Sequence, residues 1–554
     1  MIPALQIAPA KVLELLQESG QSFEISRAAD QNFSAAKDPR PLHWDSREIS
    51  NETPSLYFGK AGKRFNPAFK CNEMLANGHF VIAAAADLKH AYSEQHIATM
   101  LDSGRMILAT DVQGLLYAAS LVALPVHATA LQSIGITGTN GKTSCTAITA
   151  DLIKAVTGQP VARIGTLGFF DGHEMHEHAF PTTPDFGTFC RCLSLLAAKN
   201  VRYLAMEVSS HSLEERRLGN WKFDVAVLTN ITPDHLDFHK SMENYRRAKI
   251  KLFTNHLRSA QGQAIVCASR SPWREVIHSS KHVQKCTVVF DSQHTNEIGA
   301  FKQNAKKVQA EGTRLEAHTL NCLEESVGFI RFELSQIEPA GTGKEVVEAP
   351  LIGRFQMENI GASILAAHAL GLPIADLVAA AKKLNGVPGR LQRVPASANE
   401  PNVFIDYAHS ADSLEQAIFS LRALAKKQTD SQARIFTVFG CGGDRDRLKR
   451  PAMGRIATAL SDQVFVTSDN PRTEDPAKIV TDILNGVEED RKQRVTVELD
   501  RARAIEAAVC QALPDDIILI AGKGHENYQI IQHEKHPFSD FEIARNVLAT
   551  TYRK

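Results

Sequence analysis

Residues 137 to 144 read Thr-Gly-Thr-Asn-Gly-Lys-Thr-Ser, a combination able to hold the phosphates of a nucleotide. Gly138 and Gly141 permit a tight turn whose backbone N–H groups face an anion, and the N-terminus of a following helix adds partial positive charge. Lys142 can reach terminal phosphates, and the Thr143 hydroxyl suits Mg²⁺. Ile136 stands where the longer phosphate-loop pattern wants glycine, so the match is to a shorter GxxGKT form. The setting supports it: Gln132 to Thr137 predicts a strand before the loop, and a helix is expected from Thr143. ATP is the ligand these residues first suggest, while a purely structural turn is the alternative.

Other polar motifs also fall where strands are expected to end, which is where an α/β sheet gathers its chemistry. Met206-Glu207-Val208-Ser209-Ser210-His211 closes the apolar run from Tyr203, and Glu207 could meet the metal held by Thr143, since Mg²⁺ takes a carboxylate beside phosphates and water. A solvated or salt-bridged glutamate would look the same. Asn230-Ile231-Thr232-Pro233-Asp234-His235 closes the run from Phe223, putting His235 where a second metal ion could bind, or where a structural histidine could sit. Tyr245 to Phe253, YRRAKIKLF, reads as a basic helix facing solvent. His173, His176 and His178 have HxxHxH spacing, but their glycine-flanked setting points to a polar loop.

Near the C-terminus, Gly442-Gly443-Asp444-Arg445-Asp446, Asp469-Asn470-Pro471-Arg472 and Gly522-Lys523-Gly524-His525-Glu526 each follow a predicted strand. Asp-Asn-Pro alone is a common turn. Two arginines and a glutamate meeting there would instead suit a zwitterion, with guanidinium groups on a carboxylate and Glu526 on an ammonium.

Positioning these loops takes more than one core. A chain of 554 residues with 44% apolar content predicts two to four packed domains. The 62 basic and 62 acidic residues cancel, giving no electrostatic reason to invoke nucleic acid or an acidic membrane surface. The nine cysteines form no CxxC, which fits free thiols in a reducing cytoplasm. No leader is expected at the N-terminus, and the most apolar stretch, Leu115 to Leu131, is broken by Pro125 and His127, so no membrane span is expected either.

Residues 1–131 read as a small α/β domain with a helix from Val12 to Glu18 stopped by Gly20, and turns around Pro39 to Pro41 and Asn51 to Pro54. Residues 132–384 alternate apolar runs and helices, the pattern of a parallel sheet covered on both faces. Within them, 263 to 350 is more polar and β-like, and Asn359 to Leu370 forms a helix closed by Gly371 and Pro373. Residues 385–554 form a second α/β unit, Rossmann-like, with strands at Val403 to Tyr407, Ile435 to Gly440, Gln463 to Thr467 and Asp516 to Ala521. Leu414, Ala417, Ile418 and Leu421 have helical spacing.

Over roughly residues 132 to 554 the sequence resembles the Mur ligases. The resemblance rests on TGTNGKTS, TTP at 182 to 184, EVSSHSLEERRL at 207 to 218, DHLDFH at 234 to 239, AKIKLF, GRLQRV at 389 to 394, DYAH at 406 to 409, GCGGDRDRLKRP, DNPRTEDP and GKGHENYQII. It implies a three-domain α/β architecture with UDP bound by 1–131, ATP by 132–384 and an amino acid by 385–554. By the same resemblance Gly138, Thr139, Asn140, Gly141, Lys142, Thr143 and Ser144 hold ATP, with Asn359, Arg390 and Asp406 beside it. Glu207, His235 and Thr143 are the implied Mg²⁺ ligands, joined by Lys249, which in the family carries a carbamate. Lys142, Glu207, His235 and Lys249 make up the implied catalytic set.

Thr182, Thr183, Ser209 and Arg217 align with contacts to the nucleotide-sugar peptide, and Glu215 stands where glutamine is familiar. Arg445, Asp469, Asn470, Pro471, Arg472, Gly522 and Glu526 match amino-acid contacts. Relatives with DNPR typically add meso-diaminopimelate, whereas lysine-adding ones vary at the arginine. The implied reaction is therefore ATP-dependent addition of meso-diaminopimelate to UDP-N-acetylmuramoyl-L-alanyl-D-glutamate through an acyl phosphate. L-lysine addition, or an inactive nucleotide-binding scaffold, are the alternatives. Asp45-Ser46-Arg47 keeps a uridine-side motif, and Trp44, Ser46 and Lys63 to Phe65 are the expected uridine contacts. Leu56 to Lys60 departs from the usual strand, Ser410-Ala411 replaces Thr-Pro, and Gln356 replaces asparagine.

Overall fold

The computed structural model describes residues 4–44, 49, 54–59, 68–125, 128, 130–176, 181–309, 313–338, 343–397, 399–428 and 433–552. Three large sheets follow one another along the chain, each built from alternating strands and helices, as expected of an α/β protein.

The first sheet has six short strands in the order Leu5–Ile7, Arg40–His43, Leu56–Gly59, Phe80–Ala83, Met106–Ala109, Phe23–Ile25. Leu56–Gly59 is buried along its whole length, so the unusual sequence still makes a central strand. The helix expected from Val12 starts earlier, at Pro9, because proline is tolerated in a first helical turn. The turn expected around Pro41 is corrected to a strand. Pro41 lies opposite Gln6, at a point where Arg40–His43 has not yet begun to pair with Leu56–Gly59, so its missing N–H leaves no ladder bond unmade. The turn expected at 51 to 53 lies outside the described residues.

The second sheet has eleven strands, and seven of them are parallel: in spatial order Val161–Gly165, Tyr203–Glu207, Gln132–Thr137, Val225–Leu228, Gln263–Cys267, Lys285–Asp291 and Arg314–Glu325. Gln132–Thr137 thus lies between two later strands, one on each side. Glu207 pairs with Ile136 and Leu228 with Thr137, so the three strands end level and their following loops meet. This is the crevice where open α/β sheets bind ligands.

The β-like character expected for 263 to 350 needs correcting. Helices Trp273–Ser279 and Thr295–Gln309 alternate with strands there, and only Arg314–Glu325, Ile330–Glu338 and Lys344–Ala349 form an antiparallel run. Trp273, Val276 and Ile277 supply the apolar face that holds the first of these helices on the core. Helix Phe355–Ala369 starts four residues before the expected Asn359 and packs against helix Lys142–Thr157.

The third sheet runs Gln392–Arg393, Asn402–Asp406, Ile517–Ala521, Ile435–Phe439, Gln463–Val466, Val495–Val497, parallel apart from the first pair. Asp406 pairs with Ala521, so DYAH and GKGHE leave the sheet side by side. One apolar cluster runs from the first sheet into the second. At that junction the Trp44 ring sits against Gly187, where an added Cβ would come within 2.3 Å of it. Among the described residues no helix is long and apolar enough to cross a membrane.

Under the third sheet, Arg501 is fully buried and forms two bonds to Asp540, at 2.7 and 2.8 Å, and a third to the Ala521 carbonyl at 2.9 Å. Removing one partner would strand a buried charge. Asp540→Ala should therefore lower unfolding free energy by about 3–5 kcal/mol, read as a drop in the urea midpoint. A loss below about 1 kcal/mol would contradict this account of the pair.

Candidate functional site

The loop after Gln132–Thr137 closes as a glycine turn. Gly141 has φ 84°, in the left-handed region, and a Cβ there would sit 2.6 Å from Asn359 Oδ1. A Cβ on Gly138 would meet Thr229 Oγ1 at 1.9 Å, so both positions admit only glycine. Neighbouring strand ends fix the turn: Thr139 N donates to the Asn230 carbonyl and Asn140 N to Asn230 Oδ1, both at 2.9 Å. The helix begins at Lys142, one residue before the expected Thr143. Lys142 Nζ turns back onto the carbonyls of Gly138 and Thr139, at 2.9 and 2.8 Å. Thr143 and Ser144 are buried in the helix's first turn.

Glu207 is brought to this loop from the adjacent strand end and is 1% exposed. Its carboxylate accepts from the Thr143 hydroxyl at 3.0 Å, the Thr166 N–H at 2.8 Å and the Thr166 hydroxyl at 3.1 Å. Thr166 escapes sequence reasoning because a lone threonine in a β-turn carries no pattern. All three donors are neutral. A buried carboxylate and a hydroxyl oxygen beside this glycine turn form a donor set of the kind Mg²⁺ prefers, so these residues fit the ion.

Lys249 overturns the solvent-facing reading of YRRAKIKLF. In helix Met242–Asn255, Tyr245, Ala248, Lys249, Leu252 and Phe253 form the buried face, while Arg246 and Arg247 pair with Glu243 outside. Lys249 Nζ donates to the Gly138 carbonyl at 2.7 Å and lies 4.5 Å from the centre of the Tyr245 ring. Burial holds its amine far below the usual lysine range, and the neighbouring Lys142 pushes the same way. Lys142 is lowered too, by burial, with Glu207 and Asp234 opposing. The 3–4 spacing of 245, 248, 249, 252 and 253 was the available signal.

His235 has φ 53°, an outlier for a residue with a Cβ, and its ring lies 4.8 Å from that of His211 and 6.3 Å from that of Tyr245. Such strain is found where surrounding structure imposes it, and it sets His235 beside the same loop. Among the described residues, His173 and His176 meet no other histidine. His176 Nε2 pairs with Asp171 at 2.6 Å, and the Lys199 ammonium already bridges Asp171 and Glu174, at 2.5 and 2.7 Å. His178 lies outside the described residues.

The third sheet reaches across to this site. Arg390 Nη2 donates to Thr143 Oγ1 at 3.0 Å, with its guanidinium 4.7 Å from the Tyr407 ring centre. Asp406 Oδ2 accepts from Leu391 N at 2.7 Å. Burial pushes the Asp406 carboxyl up to about 6, although Arg390 opposes. Asn359 is held by Gln356, whose Oε1 accepts its amide at 2.9 Å. Asp412, unnoticed in the sequence, accepts from Asn140 Nδ2 at 2.8 Å.

A second line of groups leads from Glu207. Thr182 and Thr166 hydroxyls are 3.3 Å apart, Thr183 Oγ1 donates to the Glu207 carbonyl at 3.0 Å, and Ser209 N donates to Thr183 Oγ1 at 3.0 Å. Arg217 Nη1 reaches the Thr183 carbonyl at 3.0 Å, while its Nε and Nη2 both fall on Glu215 Oε2, at 2.9 and 2.6 Å. Glu215 therefore serves as the counter-ion of Arg217. Ser46 lies outside the described residues, as do Asp45, Arg47, Lys60 and 63 to 65.

At the far end, Asn470 Nδ2 donates to Glu526 Oε2 at 2.8 Å, and the buried Lys523 ammonium meets the same oxygen at 3.1 Å. Lys523 is an addition to the expected set. A Cβ on Gly522 would lie 2.6 Å from Asp469 Oδ2, and one on Gly443 1.9 Å from the Pro471 carbonyl, so these loops interlock. Arg472 has φ 52° and donates through Nη1 to the Gly443 carbonyl at 2.8 Å. Arg445 Nη1 donates to the Asp444 carbonyl at 3.1 Å on the outer loop.

Comparison with known proteins gives two family matches and several similar chains. Residues 136–367 match the Mur ligase middle domain, and 389–524 the Mur ligase glutamate ligase domain. The chain is 36% identical over 516 residues to the UDP-N-acetylmuramoyl-L-alanyl-D-glutamate--2,6-diaminopimelate ligase of Pseudomonas aeruginosa, covering 92% of this chain and 95% of that protein. It is 35% identical over 509 residues to the ligase of that name from Prochlorococcus marinus, covering 91% and 93%. A solved structure of a ligase with the same name aligns with TM-score 0.55 and 29% identity, covering 94% of this chain and 96% of the other.

Alanine at position 141 would have to adopt a left-handed backbone, at about 1–2 kcal/mol, and displace Asn359. Gly141→Ala should weaken ATP binding by about tenfold or more, measured by titration with a fluorescent ATP analogue, while the fold persists by circular dichroism. Unchanged affinity would remove the loop from the nucleotide site.

Proposed function

The chain belongs to the Mur ligase family, and from that premise we infer that it joins meso-diaminopimelate to UDP-N-acetylmuramoyl-L-alanyl-D-glutamate in the synthesis of peptidoglycan precursors. It is an ATP-dependent, ADP-forming ligase. The observation that carries the amino-acid assignment is Arg472, held between the GGD loop and the hairpin at Ile530 to Gln532, where a second carboxylate on the incoming amino acid can be met. We place the reaction in the cytoplasm, where ATP is made available.

The γ-carboxylate of the D-glutamate residue attacks the γ-phosphorus of ATP, forming an acyl phosphate and releasing ADP. A carboxylate is otherwise too poor an acyl donor for an amine. The amine then adds to the acyl carbon, and the tetrahedral intermediate expels inorganic phosphate. In our reading Gly138 to Ser144 take the phosphates, Lys142 leaves the loop carbonyls to neutralise phosphoryl charge, and Arg390 steadies Thr143. Asn359 and Asp406 flank the nucleotide. Thr143, Glu207, His235 and a carbamylated Lys249 would hold Mg²⁺, which offsets the negative charge of two acidic reactants. Burial of Lys249 supports the carbamate, because a neutral amine is the form that adds to CO₂.

Thr182, Thr183, Ser209 and Arg217 face the peptide end of the nucleotide sugar, and the family resemblance assigns Ser46 to its uridine. Arg445, Asp469, Asn470, Pro471, Arg472, Gly522 and Glu526 make up the amino-acid pocket. Closing the domains would keep water from the acyl phosphate.

With UDP-N-acetylmuramoyl-dipeptide and ATP, phosphate release and a tripeptide product by mass spectrometry should appear with meso-diaminopimelate and not with L-lysine. Arg472→Ala should lower kcat/KM for diaminopimelate by about 100-fold, the worth of a charge-assisted bidentate contact. Turnover with lysine alone would discard the pocket assignment. Neutral pH keeps Asp406 ionised, so kcat/KM for ATP should fall as pH drops through about 6. Asp406→Asn should abolish that inflection, and a variant that retained it would assign it elsewhere.

A further inference from the structure

Helix Ala411–Gln428 carries Asp412 in its first turn, where the helix N-terminus favours a negative charge. Its carboxylate gathers three loops of the central sheet. Oδ2 accepts from Asn140 Nδ2 at 2.8 Å and from the Thr232 hydroxyl at 3.1 Å, and Oδ1 accepts from Arg270 Nη1 at 2.7 Å. Asn140 follows the strand Gln132–Thr137, Thr232 follows Val225–Leu228, and Arg270 follows Gln263–Cys267. One turn further along the helix, the Gln416 amide comes within 2.7 Å of the same guanidinium.

The consequence for Asn140 is specific. Its backbone N–H is fixed by Asn230 within the central sheet, and its carbonyl accepts from the Thr229 hydroxyl at 2.6 Å. Its side chain, however, is held from the third sheet's side of the cleft. Arg390 makes the matching contact at the other end of the turn, on Thr143. The phosphate loop is therefore tied at two points to a domain that does not contain it. Arg270 neutralises Asp412, which lets a carboxylate stand beside an anion site without repelling its ligand.

We propose that Asp412 is a positioning residue that makes the shape and affinity of the phosphate loop depend on docking of the C-terminal domain. The proposal rests on reading 138 to 144 as the ATP site. If docking tightens ATP, then ATP must tighten docking by the same factor. Asp412 thereby links nucleotide occupancy to closure over the amino-acid pocket.

The test uses the full chain with Asp412→Ala, Asp412→Asn, Asn140→Ala and the Asn140→Ala/Asp412→Ala double variant. Asp412→Ala should raise the KM for ATP by about tenfold, the worth of one charge-assisted hydrogen bond, leaving the KM for the amino acid within twofold and Tm unchanged. In the Asn140→Ala background it should add clearly less than it does alone, because the two side chains share one contact and only the bonds to Thr232 and Arg270 remain to be lost. ATP should increase hydrogen-exchange protection in 411 to 428 of the wild type and not of Asp412→Ala. Asp412→Asn, which keeps the shape, should lie between. The proposal is overturned by additive effects of Asn140→Ala and Asp412→Ala, by unchanged ATP dependence, or by a uniform loss for all substrates that follows Tm. Wild-type protein that fails to bind ATP would instead sink the reading of the loop.

Discussion

Two lysines share one peptide oxygen at the centre of this molecule. Lys142 and Lys249 both donate to the Gly138 carbonyl, at 2.9 and 2.7 Å, and both are buried by the loop and the helix that supply them. Two unit positive charges a few ångströms apart repel by about 3–4 kcal/mol at an effective dielectric constant of 20. The protein answers with burial, which pushes both amines toward neutrality, and with the carboxylates of Glu207 and Asp234 close by. A triphosphate supplies the charge that such a pair favours, and a carbamate on Lys249 would reverse its sign. The rest of the structure can be understood as what holds these groups at this spacing.

That task falls to strand order. Because Gln132–Thr137 is flanked by strands that come later in the chain, the turn that follows it lies between the loops that leave both of them. Glu207 and Asn230 enter from either side at level register, one as an acceptor of hydroxyls and the other as a clamp on backbone N–H groups. Parallel register thus does what no single motif could. It brings three stretches far apart in sequence to one place, with a tolerance set by the hydrogen-bond ladder.

How much of this could be read from the sequence depended on whether the signal was local. Glycines at 138 and 141 with Lys142 announce their conformation, and the strand before them was placed to the residue, since steric and periodic rules act over a few positions. The charges of YRRAKIKLF point Lys249 to solvent while the apolar spacing around it points inward, and among the sequence signals only the family resemblance sets it at the site. Helix Trp273–Ser279 is too short for a helical period to show and is held by tertiary packing more than by propensity, while the polar composition of Thr295–Gln309 hides its period. Thr166 and Asp412 leave no trace in sequence, since each acts through a partner dozens of residues away that only the fold brings near, whereas Lys523 stands in the legible GKGHE motif and meets Glu526 three residues on.

The amino-acid end obeys a different constraint from the phosphate end. There the backbone of Arg472 is left-handed, at φ 52°, and hydrogen bonds to Ile530 and from Gln532 hold it so, at 3.1 and 2.8 Å. A left-handed residue with a Cβ is costly, and glycine would be easier. Glycine has no guanidinium. The strain is therefore the consequence of needing a long cationic side chain at a tight turn, with its Nη1 anchored on the Gly443 carbonyl to keep the rotamer from wandering. A fixed guanidinium distinguishes a substrate with a distal carboxylate from one without, because the latter leaves the cation desolvated and unpaired. If Arg472 meets the distal carboxylate as proposed, discrimination there comes from a backbone held in an unfavourable conformation, while at the proposed phosphate loop affinity comes from glycines that remove such strain.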